Sequence, residues 1–431
     1  MALDPGLRRA DLHAQNLSAI VRILRRSGPL ARFQLAEQTG LTRGAISTLC
    51  GELRSWGLLT EVGSAERAAG SRGGPNPILL DLDPAARLAV GIQFSKKRVR
   101  VGLVDLKGHV VSARDLPLQG DGRSAPQEAV AMAAAAANSL VAASRARDRV
   151  LGVGVGAPGV VDSESGIAQS DPYMGWHGVP LREWFESRLA LPVVVDHNVR
   201  AMALAELRYG AGSEVDSFLE VYWSTGIGSG IAIRGELYTG GAPGDGQLGH
   251  TVADPDGPAC VCGNRGCLET FAGEDALVAE FGAPAATGGQ DADIDTVIDA
   301  AQAGDTGARR VLDRAARRVG MACANLINVL GPLAVVAGGP VARAGEHIIQ
   351  PLRETLAGRL HPWIRDRVSV RLSALGDDLG LVGAASLALE ALFFSESAPI
   401  WHQGTGRGPR QAGHHRAAAP ADAAHGDMAG R

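Results

Sequence analysis

Three of the five cysteines in this 431-residue chain, Cys260, Cys262 and Cys267, fall within eight residues, and His250 lies ten residues ahead of the first. Three thiolates and one imidazole fill a tetrahedral shell and leave no position for water, which is the donor set of a structural zinc ion (Zn2+) rather than a catalytic one. The intervening Gly, Pro and Asn residues let a short loop turn around an ion. The competing reading is three ordinary buried cysteines beside a surface histidine, and the clustering argues against it. Cys50 and Cys323 sit in helical stretches and read as core residues. Disulfides are not expected. Asp4, Arg8, Arg9 and Asp11 interrupt the N-terminus where a signal peptide needs an apolar core, and the most apolar run, Ala129–Ala143, is short and broken by Asn138 and Ser139. The expected location is the cytoplasm, where thiols stay reduced, with no membrane association.

A second chemistry is suggested by the arginines of the N-terminal segment. Residues 1–80 carry ten Arg and no Lys against six acids, a net +4, while the whole chain is −4 and the remainder therefore −8. A basic head on an acidic body fits a polyanionic partner, although four net charges can also be a solvated face. The elements around these arginines sharpen the reading. Leu17, Ile20, Val21 and Leu24 form a helical stripe that ends at Ser27-Gly28-Pro29. A short second helix over 32–39 turns Phe33, Leu35 and Ala36 inward and stops at Gly40. Thr42 caps a third helix that runs to about Ser55, with Ala45, Ile46, Leu49 and Leu53 on its buried side. A strand from Trp56, a Gly/Ser/Arg-rich loop and a strand over 78–82 follow, which is the order of a winged helix-turn-helix. In that arrangement the third helix enters the major groove. Thr42, Arg43, Gly44, Ser47 and Thr48 would face bases and phosphates, and Arg67 and Arg72 would reach the backbone or minor groove as the wing. The alternative is a helical protein–protein module with the same core; the Arg-only bias and the tight turn before the third helix weigh against it.

Hydrophobic residues make up 45% of the chain and aromatics only 4%, so aliphatic side chains must fill the core. Beyond the head, strands expected at 88–94, 99–105, 150–155, 192–195, 218–223, 230–234 and 333–337 alternate with helices at 126–147, 199–209, 293–303 and 306–330. That alternation is the pattern of an α/β protein.

The motifs punctuating these elements resemble the ROK family (repressors, open reading frames and kinases) over roughly residues 15–395. The most specific stretch runs from Gly249-His250-Thr251-Val252 through the three cysteines to Glu269. Gly156-Ala157-Pro158-Gly159, the Ser224–Gly230 and Ala337–Pro340 segments, and Leu375–Gly383 add to it. The resemblance implies two ribonuclease-H-like (actin-like ATPase) lobes closing over a sugar site. Residues 1–14 then read as an extension, 15–82 as the winged helix-turn-helix and 83–195 as lobe 1, joined by a C-terminal helix at 380–394. Residues 196–379 read as lobe 2 with the metal loop at 250–267, and 395–431 as a disordered tail.

Two departures from the family's kinases stand out. Where the kinases carry the Asp that takes a proton from the sugar hydroxyl, this chain reads Asp196-His197-Asn198-Val199-Arg200, which puts Asn198 at the base position. An amide exchanges hydrogen bonds with a hydroxyl but is no base near neutral pH. Where they carry Asp-x-Gly-Gly-Thr to place metal and phosphate, this chain has Gln93-Phe94-Ser95-Lys96-Lys97. By resemblance the sugar contacts fall at Gly159, His197, Asn198, Gln247, His250 and Glu269, a polyol-binding set in which Gln247 replaces a usual Glu. The implied function is a DNA-binding transcription regulator, a repressor, sensing a sugar or sugar derivative through a catalytically inactive kinase-like domain. It would act as a homodimer or tetramer on an inverted-repeat operator. The alternatives are an active ATP-dependent sugar kinase bearing a DNA-binding head, which the amide at 198 argues against, and a scaffold whose head binds protein.

Overall fold

The computed structural model describes residues 9–64, 76–118, 125–241, 243–282 and 292–402. The head opens with α1 (Arg9–Ser27), which starts upstream of the boundary expected at residue 15 because Ala14 extends the buried stripe of Leu17, Ile20, Val21 and Leu24. After β1 (Leu30–Ala31), α2 (Arg32–Thr39) ends at Gly40, whose φ of 71° is the left-handed conformation that favours glycine. Leu35 is buried, but Phe33, expected inward, is 39% exposed: α2 has only two turns, and its inner face is taken by Leu35 and the half-buried Ala36. In α3 (Arg43–Ser55) the Thr42 hydroxyl accepts from Ala45 N at 3.2 Å, and Ile46, Leu49, Cys50 and Leu53 are buried while Ala45 is half-buried. Strands β2 (Leu59–Ser64) and β3 (Ile78–Leu82) complete a sheet of order β1-β3-β2 and a winged-helix layout. The wing residues Arg67 and Arg72 lie outside the described residues.

The first lobe is built on β4 (Leu88–Phe94), β5 (Arg98–Asp105), β6 (Val110–Pro117), α4 (Pro126–Ser144) and β7 (Val150–Ala157). A small sheet of β8 (Val160–Asp162), β9 (Ile167–Asp171) and β10 (Trp176–Val179) precedes α5 (Leu181–Leu189) and β11 (Val193–His197). Its main sheet has the order β11-β7-β4-β5-β6, with β7 parallel to both neighbours. Strand β11 runs to His197, past the expected lobe boundary, so His197 and Asn198 reach the cleft from the end of the edge strand beside β7.

Helix α6 (Asn198–Tyr209) leads into the second lobe: β12 (Phe218–Trp223), β13 (Ile227–Ile233), β14 (Glu236–Leu237), the cysteine loop, α7 (Glu269–Ala272), α8 (Glu274–Phe281), α9 (Ile294–Gln302) and α10 (Thr306–Leu330). Then come β15 (Ala334–Gly338), α11 (Glu346–Arg359), α12 (Pro362–Arg365), β16 (Ser369–Leu372) and α13 (Leu379–Leu389). The sheet order is β14-β13-β12-β15-β16. Helices α6 and α13 pack against each other between the two sheets. Every residue of α13 is buried, and its backbone lies directly on the first sheet: a Cβ on Gly154 of β7 would sit 1.7 Å from the Ala384 carbonyl oxygen. The glycine in that strand therefore sets the distance between the sheet and α13.

The folded chain continues beyond Ser395, where the tail was expected to begin. A π-helical turn over Glu390–Phe394 and a 3-10 turn over Pro399–His402 fold back on the head; Ala398, Ile400 and Trp401 are buried, and Trp401 stacks on Trp56 with ring centroids 6.5 Å apart. The three apolar residues were masked by the polar composition of the segment that follows. In the same region the Glu390 carboxylate accepts from Arg208 Nε of α6 at 2.9 Å and from Arg25 of α1, and the Arg25 guanidinium lies 3.8 Å from the centre of the Phe394 ring. One carboxylate thus joins the interlobe helix to the head. Among the described residues no helix is long and apolar enough to cross a membrane.

Candidate functional site

The cysteine loop leaves β14, turns through His250 and returns to α7. Backbone bridges Val252↔Cys267 and Ala259↔Arg265 fold it onto itself, and Cys260 N donates to Asn264 O at 2.8 Å. The ligand atoms of His250, Cys260, Cys262 and Cys267 all lie within 4.8 Å of one another, with Cys260 Sγ 3.6 Å from His250 Nδ1 and Cys262 Sγ 3.7 Å from Cys267 Sγ. Bonds of about 2.3 Å to sulfur and about 2.0 Å to nitrogen at tetrahedral angles separate neighbouring ligand atoms by roughly 3.5–3.8 Å. The four residues therefore form a group that fits a tetrahedral metal ion.

The loop is one wall of a cavity of about 400 Å³ between the lobes, and Gly159, His197, Asn198, Gln247, His250 and Glu269 all line it. That volume suits a monosaccharide-sized ligand. Asn198 is the first residue of α6, held at the cavity by its place directly after β11. Asp196, the nearest carboxylate in sequence, is committed elsewhere: it accepts from Arg200 Nε at 3.0 Å and from its neighbour's backbone amide at 2.7 Å. Arg200 also donates to Asp245 at 2.7 Å, which anchors the loop carrying Gln247. Gln247 Nε2 in turn donates to the Gly159 carbonyl at 3.3 Å and spans the lobes.

Two residues that the sequence motifs did not single out complete the inner half. Asp171, at the end of β9, is 1% exposed; its Oδ1 accepts from Tyr173 N at 2.9 Å while Oδ2 has no partner. Burial pushes this carboxyl above its ordinary range. Tyr173 donates its phenol hydrogen to Glu269 Oε1, and Glu269 Oε2 accepts from Ile227 N at 3.1 Å. No sequence signal marked either residue; the structure brings Asp171 against Gly159. His197 is buried with an unpartnered Nδ1, and burial followed by the nearby Arg200 charge pushes its pKa down to about 4, which keeps the imidazole neutral. The inner half is thus a set of fixed hydrogen-bonding groups, and two buried atoms of its lining residues, Asp171 Oδ2 and His197 Nδ1, have no partner.

The outer half differs. The β4–β5 turn carries Ser95, Lys96 and Lys97, and it closes on itself: Ser95 N and Oγ donate to Arg98 O at 3.0 and 2.8 Å. Phe94 fills the core beside Trp176, ring centroids 5.1 Å apart, and the turn that follows it lines the cleft. Lys96 reaches across to Asp275 at 3.3 Å, Thr225 Oγ1 donates to Glu274 at 3.3 Å, and Arg343 pairs with Asp295. In the head, Thr42, Arg43, Gly44, Ser47 and Thr48 are all exposed at the N-terminal end of α3.

Two actin-like α/β lobes around a polyol-sized cavity, with a thiolate–imidazole site in its wall and a winged-helix head, define the class of protein. The chain belongs to the ROK family, whose model matches residues 89–391. It is 30% identical over 371 residues to a putative xylose repressor of Caldicellulosiruptor sp. strain Rt8B.4, covering 84% of this chain and 92% of that one. Among solved structures it is similar to a ROK family transcriptional regulator described as a homologue of the E. coli Mlc protein, with a TM-score of 0.74 and 25% identity over 89% of this chain and 97% of that one. A ROK family glucokinase from Streptomyces griseus in complex with glucose and AMPPNP matches with a TM-score of 0.62 and 30% identity, covering 70% of this chain and 99% of the kinase. The added coverage in the regulator is close to the length of the head.

Proposed function

We propose that this protein is a DNA-binding transcriptional regulator, a repressor, that senses a sugar or sugar derivative in a kinase-like cleft without phosphoryl-transfer activity. The observation that carries the reading is the pairing of an exposed third helix in the head with a cleft whose base position holds Asn198. Asp171 offers a carboxylate in the cavity, but phosphoryl transfer also needs backbone donors for phosphate, and the Ser95 amide is used within its own turn. The metal is a structural zinc ion. It would be held by His250, Cys260, Cys262 and Cys267, where it supplies rigidity to the wall that carries Glu269, two residues beyond Cys267.

Arg43 would read bases, with Thr42, Gly44, Ser47 and Thr48 on bases or phosphates, as the exposed end of α3 favours. Sugar binding at the N-terminus of α6 would reach the head through the opposite end of that helix, where Arg208 meets Glu390 and Glu390 meets Arg25 of α1. In a homodimer or tetramer on an inverted repeat, a small change in head spacing weakens operator binding. The test is fluorescence anisotropy with duplexes from the region around its own gene, across salt concentrations and a sugar panel. A steep salt slope and a sugar-dependent midpoint are expected. Salt-insensitive binding points to a protein-binding head, and ATP-dependent phosphorylation of a hexose returns the chain to the kinases.

A further inference from the structure

Tyr173 crosses the cleft. It lies in the loop between β9 and β10 of lobe 1, and its hydroxyl donates to Glu269 on α7 of lobe 2. The loop is held in place at its base, where Asp171 pairs with Trp176 across the two strands and Trp176 is buried against Phe94. Glu269 is itself buried and fixed from behind by Ile227 N at 3.1 Å, so its second oxygen is the one presented to the cavity, and that oxygen is occupied by the phenol. The same loop presents the opposite condition two residues earlier, where Asp171 Oδ2 is buried with no donor. A satisfied carboxylate and one with an unpartnered oxygen therefore belong to the lining of the same cavity, and a side chain of the protein satisfies the first.

A phenol O–H and a sugar O–H are equivalent donors to a carboxylate. We propose that Tyr173 is a specificity-determining residue of the effector site, whose hydroxyl takes the place of one effector hydroxyl on Glu269 in the ligand-free protein. The effector is then a neutral polyol that exchanges a hydroxyl for the phenol at Glu269 and donates a second hydroxyl to Asp171 Oδ2. This rests on the sugar-sensing reading above and deepens it. A ligand that brings a single donor replaces the phenol without satisfying Asp171 and gains little. A ligand that brings a carboxylate meets Asp171 and Glu269 and is excluded, since a buried acceptor left facing an acceptor is costly. The exchange also removes a link between the lobes, so recognition and the change in lobe geometry are one event.

The test is calorimetric titration of full-length, metal-loaded protein with D-xylose, D-glucose, N-acetyl-D-glucosamine and D-glucuronate, using wild type, Tyr173→Phe and Asp171→Asn. For the sugar that binds, Y173F is expected to bind roughly ten-fold more tightly, the equivalent of one net hydrogen bond no longer displaced. D171N is expected to bind more weakly, and glucuronate is expected to give no heat. Unchanged or weaker affinity in Y173F overturns the proposal. A second readout needs no ligand: backbone amide exchange at Ile227 and in the 172–175 loop is expected to quicken in ligand-free Y173F, and unchanged exchange also overturns it. Absence of heat from every sugar in every variant overturns the sensing reading itself, while the amide-exchange result still decides whether Tyr173 clasps the lobes.

Discussion

In the inner half of the cleft, buried atoms of the lining residues Asp171 and His197 have no partner; in the outer half, Lys96 is paired with Asp275, Arg343 with Asp295, and the Ser95 amide with its own turn. Both halves are polar, and both are lined by residues of the two lobes. They differ in whether the protein satisfies all of the buried polar atoms of its lining residues. Where it does not, a ligand recovers the desolvation already incurred; where it does, a ligand must first break what exists. One cleft can therefore keep a recognition site while losing the site for a second substrate.

The largest effect that would sharpen this contrast is loss of the metal. Cys267→Ser removes a thiolate from the wall of the inner half only, and it is expected to abolish stoichiometric zinc in elemental analysis, lower Tm by roughly 10 °C and eliminate sugar binding. Glu269→Ala comes next: sugar affinity is expected to fall by about 30- to 100-fold in calorimetry, as for a charged hydrogen-bonding partner removed from a buried site. His197 gives a pH signature. Its folded pKa of about 4 lies below the ordinary 6.5, so as pH falls through this window the unfolded chain takes up a proton that the folded chain refuses, and stability drops. The difference in unfolding free energy between wild type and His197→Gln is expected to shift against wild type by up to about 3 kcal/mol between pH 7 and pH 4. Lys96→Ala should cost less than about 1 kcal/mol, because its partner Asp275 is exposed. Asn198→Asp restores a carboxylate at the base position, and a coupled ATP assay is expected to remain at background because the outer half is untouched. Turnover in that variant would break the comparison.

The sequence made the metal site legible because four ligands within eighteen residues need no long-range information. The six residues assigned to the sugar by resemblance line one cavity: Gly159, Gln247, His250 and Glu269 sit in or beside a glycine-rich turn or the metal loop, and His197 and Asn198 at the junction of β11 and α6. The head was legible from its helical stripe and caps, apart from Phe33, whose exposure depends on how little of the two-turn α2 the core covers. Asp171 and Tyr173 were not legible. Their roles arise from the small β8–β10 sheet folding against the opposite lobe, and no local spacing encodes that contact. The same holds for Glu390, which meets Arg25 across 365 positions and Arg208 across 182. Residues 395–402 were hidden for another reason: composition averaged over a long polar segment conceals three buried apolar side chains at its start.

The two-halves account meets its most direct test in paired calorimetric titrations of one zinc-loaded preparation, first with the sugar that alters operator binding and then with Mg-ATP. Saturable heat from the sugar at about one site per chain, and none from Mg-ATP with or without sugar, is the expected result. Saturable Mg-ATP binding followed by appearance of a sugar phosphate would contradict it.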